Sequence, residues 1–424
     1  MNSERTQRRV LVVAFHYPPD NTSTGVLRTL KFTQYLHGHG WSSTVLTVPP
    51  NLYYSTDAAS LAKIPAHVEV RRSAAVDIKE ALGFRGLYPS ALAVPDRYWP
   101  WLFSGTRAGS ELLGSGRFQA LYTTYPVPTA HWIGLRLKKR FGLPWIADFR
   151  DPWVEDSMPW YRRKLEGILE AKIMRHADRV ICNTPAMRRF FLERYPQVDA
   201  AKFVTITNGY DEPDFAQIEP HTEAQFHIIY PGVISVGNRH PRPLLAGVRL
   251  ALDKGWLRAD DLKITFLGCG EWAHSAAFQN ELQQYGLSTQ VDCVVKRIPY
   301  GEALKRLAGA DVLTVLSEMA TAGAEAEQAW TRLQVPAKVY EYLRLGKPML
   351  ALVSEGAVKE VLAETGGGAP VSPDDTEGIA AALRDLYAQR HIPRQAREPS
   401  PSVRKYSREQ LTVQLAAELN RLCD

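Results

Sequence analysis

A doubly wound α/β fold in two halves is what this chain predicts, and three observations carry it. Short apolar runs alternate with helical stretches over almost all of the 424 residues. The alternation stops at a polar stretch near the chain midpoint, NGYDEPDFAQIEPHTEAQ, and then starts again. A chain of this length also exceeds one ordinary hydrophobic core, so two domains are the natural division. Strands separated by helices build βαβ units and parallel sheets. Parallel sheets carry their ligand loops at the carboxyl ends of the strands, which places the expected active site in a cleft between two Rossmann-like domains that face each other.

In chain order, RRVLVVAF, SSTVLTV, ALYTTY, PWIADF and RVICNT read as buried strands of the first half, with helical patterns at Arg28–His39 and Thr129–Phe141 between them. The second half opens on FHIIYPG and continues through KITFLG, VDCVVKRI, DVLTVLS and PMLALV. The expected divisions are residues 1–215, 216–404 and a last helix at 405–424, with a linker at about residues 211–225. Leu411, Leu415, Leu419 and Leu422 give that last helix an apolar stripe.

Composition narrows the function. Hydrophobic residues make up 45% and charged residues 23%, the balance of a soluble globular protein. A net charge of +6 favours anionic ligands or an anionic membrane surface, yet no nucleic-acid-binding module accompanies it, so nucleic acid is not expected as a partner. The four cysteines are scattered, without metal spacing, and read as reduced thiols of a cytoplasmic protein. VLVVAF is too short for a signal peptide core, and no run of about eighteen apolar residues offers a transmembrane helix.

Several segments combine the residue types of a binding site. After the first strand, DNTSTGVLRTLKF forms a strand–loop–helix start, a generic anion cradle in which Gly25 permits close backbone approach and Arg28 stands in the first turn; the alternative is a polar loop with Arg28 as a solvated charge. PWIADFRDPW delivers Asp148, Arg150 and Asp151 at the end of a buried strand, a set suited to holding hydroxyls and a general base, or else an Asp–Arg pair that fixes the loop. Arginine is always protonated, so any base is Asp151, Asp148 or His131, or the protein supplies none. His131 opens a helix, where it caps, sits at the core edge or touches a substrate. In the second half, IIYPGVISVGNRHPRPLL carries Gly232, Gly237, Arg239 and Arg242 in a strand–loop–helix. KITFLGCGE ends in a tight turn. VPAKVYEYLRLGKPMLALV (Val335–Val353) is a helix with a core face of Val339, Tyr342 and Leu343, stopped by Gly346 and Pro348. Glu341 lies off that stripe, and Lys338 stands three residues before it; both also read as surface charges. The helix start after PMLALV offers the amides of Ser354, Gly356 and Ala357 to an anion. RYWPWLF (Arg97–Phe103), the cluster Arg136, Lys138, Lys139 and Arg140, and Trp160 with Arg162, Arg163 and Lys164 set aromatic rings beside cations, as at a bilayer interface; buried tryptophans with ordinary surface charges are the alternative.

ADFRDPW, TNGYD (Thr207–Asp211) and the segment Lys338–Pro348, in this order and at these separations, resemble the GT4-like group of GT-B glycosyltransferases, in particular a subgroup that makes bacterial surface polysaccharides. The resemblance runs from Val10 to about Leu422. It implies the GT-B fold and a nucleotide-sugar donor held by the second domain. Glu341 then accepts hydrogen bonds from the ribose hydroxyls, Arg239 grips the diphosphate with Lys338 as a second cation, and Arg297 and Ile298 lie beside the base. Gly232 belongs to the same donor loop, and Gly25 and Arg28 line the cleft near the sugar and the donor phosphates. The group sends its last helix back onto the first domain. The implied acceptor is a glycan or lipid-linked precursor at the inner membrane face, reached by a cytoplasmic or peripheral enzyme that retains anomeric configuration.

Three positions depart from the group's pattern: Val233 replaces a basic residue, Leu333 replaces the first of two glutamates, and Arg150 stands where some relatives have histidine. No D-x-D occurs, so no metal is expected, and no cofactor beyond the donor itself. Two other functions share the fold: a nucleotide-sugar epimerase, and a non-catalytic sugar-nucleotide-binding subunit.

Overall fold

The computed structural model describes residues 7–22, 25–83, 90–235, 239–316, 329–391 and 398–424. It divides into two units, Met1–Asn208 with Arg408–Asp424, and Gly209–Ser407.

The first unit is built on a seven-stranded parallel sheet. Its strands are β1 (Arg8–Ala14), β2 (Trp41–Thr47), β3 (Glu69–Arg72), β4 (Ala120–Thr124), β5 (Trp145–Phe149), β6 (Arg179–Cys182) and β7 (Phe203–Thr205), in the order β3-β2-β1-β4-β5-β6-β7. Val10 to Ala14 are all buried, as expected of a central strand covered on both faces. The winding reverses between β1 and β4, and at such a switch point the loops at the strand ends part and leave a crevice. Right-handed crossovers put helices Trp101–Leu113, Pro128–Phe141 and Trp160–His176 on one face of the sheet. Helix Gly25–Tyr35 covers the other face and packs against the C-terminal helix Arg408–Cys423. Leu411, Leu415 and Leu419 of that helix are buried in one cluster with Val10, Val12 and Phe32.

The second unit repeats the plan with six strands. They are β8 (Phe226–Pro231), β9 (Leu262–Leu267), β10 (Val291–Val294), β11 (Val312–Leu316), β12 (Met349–Leu352) and β13 (Ala369–Val371), in the order β10-β9-β8-β11-β12-β13. Here the switch point lies between β8 and β11. No helix among the described residues is long and apolar enough to cross a membrane.

The structure refines several expected boundaries. The first helix starts at Gly25 rather than Arg28, and its end tightens into a 3₁₀ turn at Leu36–His39, closed by Gly40 at φ 82°. The division between units falls at Asn208, before the expected 215. Tyr210 already belongs to the second unit, because its amide bonds the Tyr406 carbonyl at 3.2 Å and its ring meets Phe215. The last segment rejoins the first unit at Arg408, after the expected 405.

Candidate active site

In the first unit, Arg28 and Asp148 meet out of reach of water, with 2% and 0% exposure. The pair is bidentate: Arg28 Nε donates to Asp148 Oδ2 at 3.0 Å and Nη2 to Oδ1 at 2.8 Å. Tyr122 and Thr124 hydroxyls add bonds to Oδ2 at 2.6 and 3.0 Å. Burial pushes the Asp148 carboxyl up, but the Arg28 guanidinium outweighs it and holds the group below its ordinary value. Arg28 also donates to the carbonyls of Ile206 and Thr207, at 2.9 and 2.5 Å. This ties Ile206 and Thr207, just past β7, to β5 and the first helix. An Asp–Arg pair therefore exists, but its arginine is Arg28 and not Arg150. Arg28 does not line an open loop, and Asp148, saturated and sealed, is not placed to act as a base.

His131 is also a core residue. It is 0% exposed, its ring stacks on Phe149 at 4.5 Å, and its Nδ1 lies 2.6 Å from the Thr123 hydroxyl. Burial pushes its pKa down to about 3, so the ring stays neutral at physiological pH. Of the roles open to it, the core position is the one the structure shows; substrate contact is not.

Arg150 and Asp151 lie at the edge of this core, both partly exposed. The Arg150 guanidinium covers the start of the first helix so closely that a Cβ on Gly25 would fall 2.0 Å from its Nη1. A cation held over the positive end of a helix is unfavourable alone and favourable once an anion joins it. Burial, aided by the charge of Arg28, lowers the Arg150 pKa against the pull of Asp151. Burial raises the pKa of Asp151, whose carboxylate makes no hydrogen bond to the described residues. Of the expected base candidates, Asp151 is the one with open acceptor capacity. A second pair, not expected from the sequence, is His16 Nδ1 at 2.5 Å from the buried Asp20 Oδ2, just past the end of β1. Its signal was the four-residue spacing in HYPPD.

In the second unit the loops after β8, β9 and β10 are zipped together by backbone bonds. Gly232 donates to Leu267 at 2.8 Å, Ile234 to Cys269 at 3.0 Å, and Gly268 to Val294 at 2.7 Å. Lys338, on helix Ala337–Leu345, sends its ammonium to the Pro231 carbonyl at the end of β8, and its Nζ stands 4.2 Å from the centre of the Tyr230 ring. Gly232 makes this possible: at φ 143° a side chain is strained, and a Cβ would fall 2.7 Å from the Lys338 Nζ. Arg239 is exposed, adopts a left-handed φ of 55°, and lies near enough to lower the Lys338 ammonium and to oppose the rise that burial gives the Tyr230 phenol. Burial is the larger cause for Lys338; together they push this half-buried group down to about 7, with Glu341 pulling the other way. Glu341 accepts a hydrogen bond from the Tyr300 hydroxyl at 2.9 Å, a partner the sequence did not reveal.

Arg239, Lys338 and Glu341 are thus brought together beside the β8 switch point. Arg242 is not part of this group: its Nε donates to Glu281 at 2.6 Å. Arg297 is exposed and Ile298 half-buried, both just past β10, with Arg297 packed against the Gly268 turn. Ser354 and Gly356 precede helix Ala357–Thr365. The Ala357 amide already donates to the Arg332 carbonyl at 2.8 Å, so it is not offered to an anion as expected. Gly237 lies outside the described residues. Among the described residues, no group of three His, Cys, Asp or Glu is placed to hold a metal.

The two parallel sheets, with their orders and crossovers, are those of a GT-B fold. Residues 9–209 match the family model of the glycosyl transferase 4-like domain. Among solved structures, the chain is similar to sucrose-phosphate synthase from Thermosynechococcus elongatus at 16% identity and TM-score 0.64, over 98% of this chain and 99% of that one. It is similar to Anabaena HepE in complex with UDP at 13% identity and TM-score 0.65, over 97% and 100%. It also resembles the lipopolysaccharide outer core galactosyltransferase WaaB at 10% identity and TM-score 0.61, over 97% and 99%. No curated protein matches the chain.

Proposed function

We propose that the chain is a glycosyltransferase that moves a sugar from a nucleoside-diphosphate sugar to an acceptor hydroxyl. The observation that carries this reading is the convergence of Arg239, Lys338 and Glu341 at the end of β8. Two cations beside a glycine-permitted backbone suit a diphosphate, and a carboxylate already accepting one hydroxyl suits a ribose. Anabaena HepE, a structural neighbour, holds UDP. In the reaction the bond from the anomeric carbon to the diphosphate oxygen breaks and a bond from that carbon to the acceptor oxygen forms. Lys338 and Arg239 stabilise the charge growing on the leaving diphosphate, in place of a metal. Asp151, with its raised pKa, takes the acceptor proton. The acceptor is a lipid-linked glycan of surface polysaccharide synthesis at the inner membrane face, and the anomeric configuration is retained, with the acceptor oxygen arriving on the face that the diphosphate leaves.

A thermal-shift series over UDP-, GDP-, ADP- and TDP-sugars identifies the donor, because a ligand of the folded form raises its melting point. Transfer of labelled sugar to an extracted lipid-linked acceptor, undiminished by EDTA, is the expected outcome. Release of an epimer in the absence of acceptor would assign an isomerase instead, and binding without turnover a non-catalytic subunit. Glu341→Ala is expected to weaken nucleotide binding by about 1–3 kcal/mol, the usual penalty for an unmade hydrogen bond. Titration calorimetry measures this, and wild-type affinity would remove Glu341 from the site. Asp151→Asn is expected to lower kcat by about 10²–10⁴-fold, the range for general-base catalysis, with donor affinity unchanged. A fully active Asp151→Asn enzyme rules Asp151 out as the base.

A further inference from the structure

Helix Trp160–His176 carries two glutamates, and both turn inward. Glu166 accepts bonds from Trp153 Nε1 at 2.8 Å and Arg162 Nε at 2.7 Å. Glu170 accepts from the Val154 amide at 3.1 Å and from the Tyr195 hydroxyl. With its acids spent inside, the outer side of the helix shows Arg163, Lys164, Lys172 and Arg175. Between these cations stand Trp160, Leu165 and Ile168, exposed by 72%, 54% and 48%.

The neighbouring helix Pro128–Phe141, packed against it, contains no acidic residue and exposes Arg136, Lys139 and Arg140. Lys138 is tied to Asp178 at 2.6 Å. The Arg136 guanidinium lies 5.7 Å from the ring centre of Phe103, which is 59% exposed on helix Trp101–Leu113. The three helices occupy one face of the seven-stranded sheet, so their outer sides form one surface. Its single exposed acid within these helices, Glu111, is held by Arg107 at 3.1 Å. Asp156, in the preceding loop, stands 4.0 Å from Arg163.

We propose that this face docks on a bilayer containing anionic phospholipid, with Trp160, Leu165 and Ile168 entering the interfacial region and the surrounding cations meeting the headgroup phosphates. The proposal deepens the membrane-facing part of the function above by naming the surface and the lipid charge. Charge decides the occupant. A second copy would set one cationic face against another, since a two-fold interface is self-complementary. A nucleic acid would satisfy the cations but give Leu165 and Ile168 nothing to enter. An anionic bilayer satisfies both, as it does for amphipathic helices lying in the membrane plane.

The test is flotation of the full chain with vesicles of phosphatidylcholine, alone or mixed with phosphatidylglycerol. The chain is expected to float with the mixed vesicles, to be released in part by salt, and to stay behind with the neutral ones. Arg163→Glu with Lys164→Glu is expected to weaken partitioning at least about tenfold, given about fivefold per cation lost near an anionic surface. Leu165→Glu with Ile168→Glu is expected to abolish it. Val413→Glu, on the exposed side of the C-terminal helix, serves as the control and keeps wild-type partitioning. Near-ultraviolet circular dichroism shows whether each variant is folded. UDP thermal shift and turnover on a soluble acceptor, read on the same variants, separate this proposal from the glycosyltransferase reading, because neither depends on the outer helix face. Equal flotation with both vesicle types, flotation with neither, or wild-type flotation of the charge-reversed variant overturns the proposal. So does a wild-type oligomer in light scattering that Leu165→Glu dissociates without any vesicle binding, which would assign the face to a protein partner.

Discussion

Asp148→Ala is expected to destabilise the first unit by about 3–5 kcal/mol, the cost of leaving one member of a buried ion pair without the other. Arg28 would keep two carbonyls, from Ile206 and Thr207, but its charge would have no counterpart at 2% exposure. Such a loss is a large fraction of a typical domain stability of about 5–15 kcal/mol. Urea unfolding measures it, and because the chain has two units, the transition that reports the first unit should shift while the other stays. Removing both charges as Arg28→Leu with Asp148→Leu is expected to cost less than the sum of the single changes, since neither partner is then stranded. The pH dependence has a definite sign. The folded pKa of Asp148 lies below its ordinary value of 3.8, so the stabilisation is complete above 3.8 and is lost as the pH falls through the lower folded value. A wild-type urea midpoint for Asp148→Ala would show that the pair is not what joins β5, the first helix and the stretch Ile206–Thr207. Asp151→Asn supplies the contrast: its unfolding should match wild type while its turnover falls.

How far the sequence reached follows from where each side chain's partners lie. Strands buried on both faces appear as largely apolar runs, Val10–Ala14 in β1, WIADF in β5 and FHIIYP in β8, and were legible. Those that escaped, β3, β7 and β13, are three- or four-residue edge strands, of which EVRR and APV are largely unburied and leave no run to read. The Lys338–Glu341 neighbourhood was legible because the two residues are three apart near the start of one helix. The Arg28–Asp148 pair was not, because its members are 120 residues apart and the nearer Arg150 looked the better partner. Tyr300 was missed for the same reason: it meets Glu341 from 41 positions away. On helix Trp160–His176 the cations beside Trp160 were legible, but that its outer side carries no acid was not, since burial of Glu166 and Glu170 shows only in the fold.

Binding of the donor's nucleoside diphosphate is expected to draw a proton onto Lys338, and this gives the donor site a pH signature. In the free protein, burial and Arg239 push the ammonium down to about 7 from an ordinary 10.5. Folding therefore disfavours the charged form: the cost is complete below about 7 and fades as the pH rises towards 10.5. A diphosphate beside Nζ restores the charge, so between those limits the complex holds more protons than its separated parts. Affinity should then fall as the pH rises above about 7, approaching tenfold per unit while one proton is taken up. The nucleotide does not mask this, because a terminal phosphate with a pKa of about 6 is already ionised there. Calorimetry at about pH 8.5, in buffers of different ionisation enthalpy, counts the proton directly, and each unit of pKa shift corresponds to about 1.4 kcal/mol. Lys338→Met removes the titrating group while keeping much of the stem that packs on Tyr230. It is expected to abolish proton uptake and to lower kcat by about 10²–10³-fold, the scale of losing one charge-stabilising contact in a transition state. Glu341→Ala should behave differently, weakening nucleotide binding while leaving proton uptake in place, since its carboxylate opposes the depression of Lys338 and does not cause it. Heats that do not change with buffer, together with full turnover by Lys338→Met, would remove the diphosphate from the end of β8.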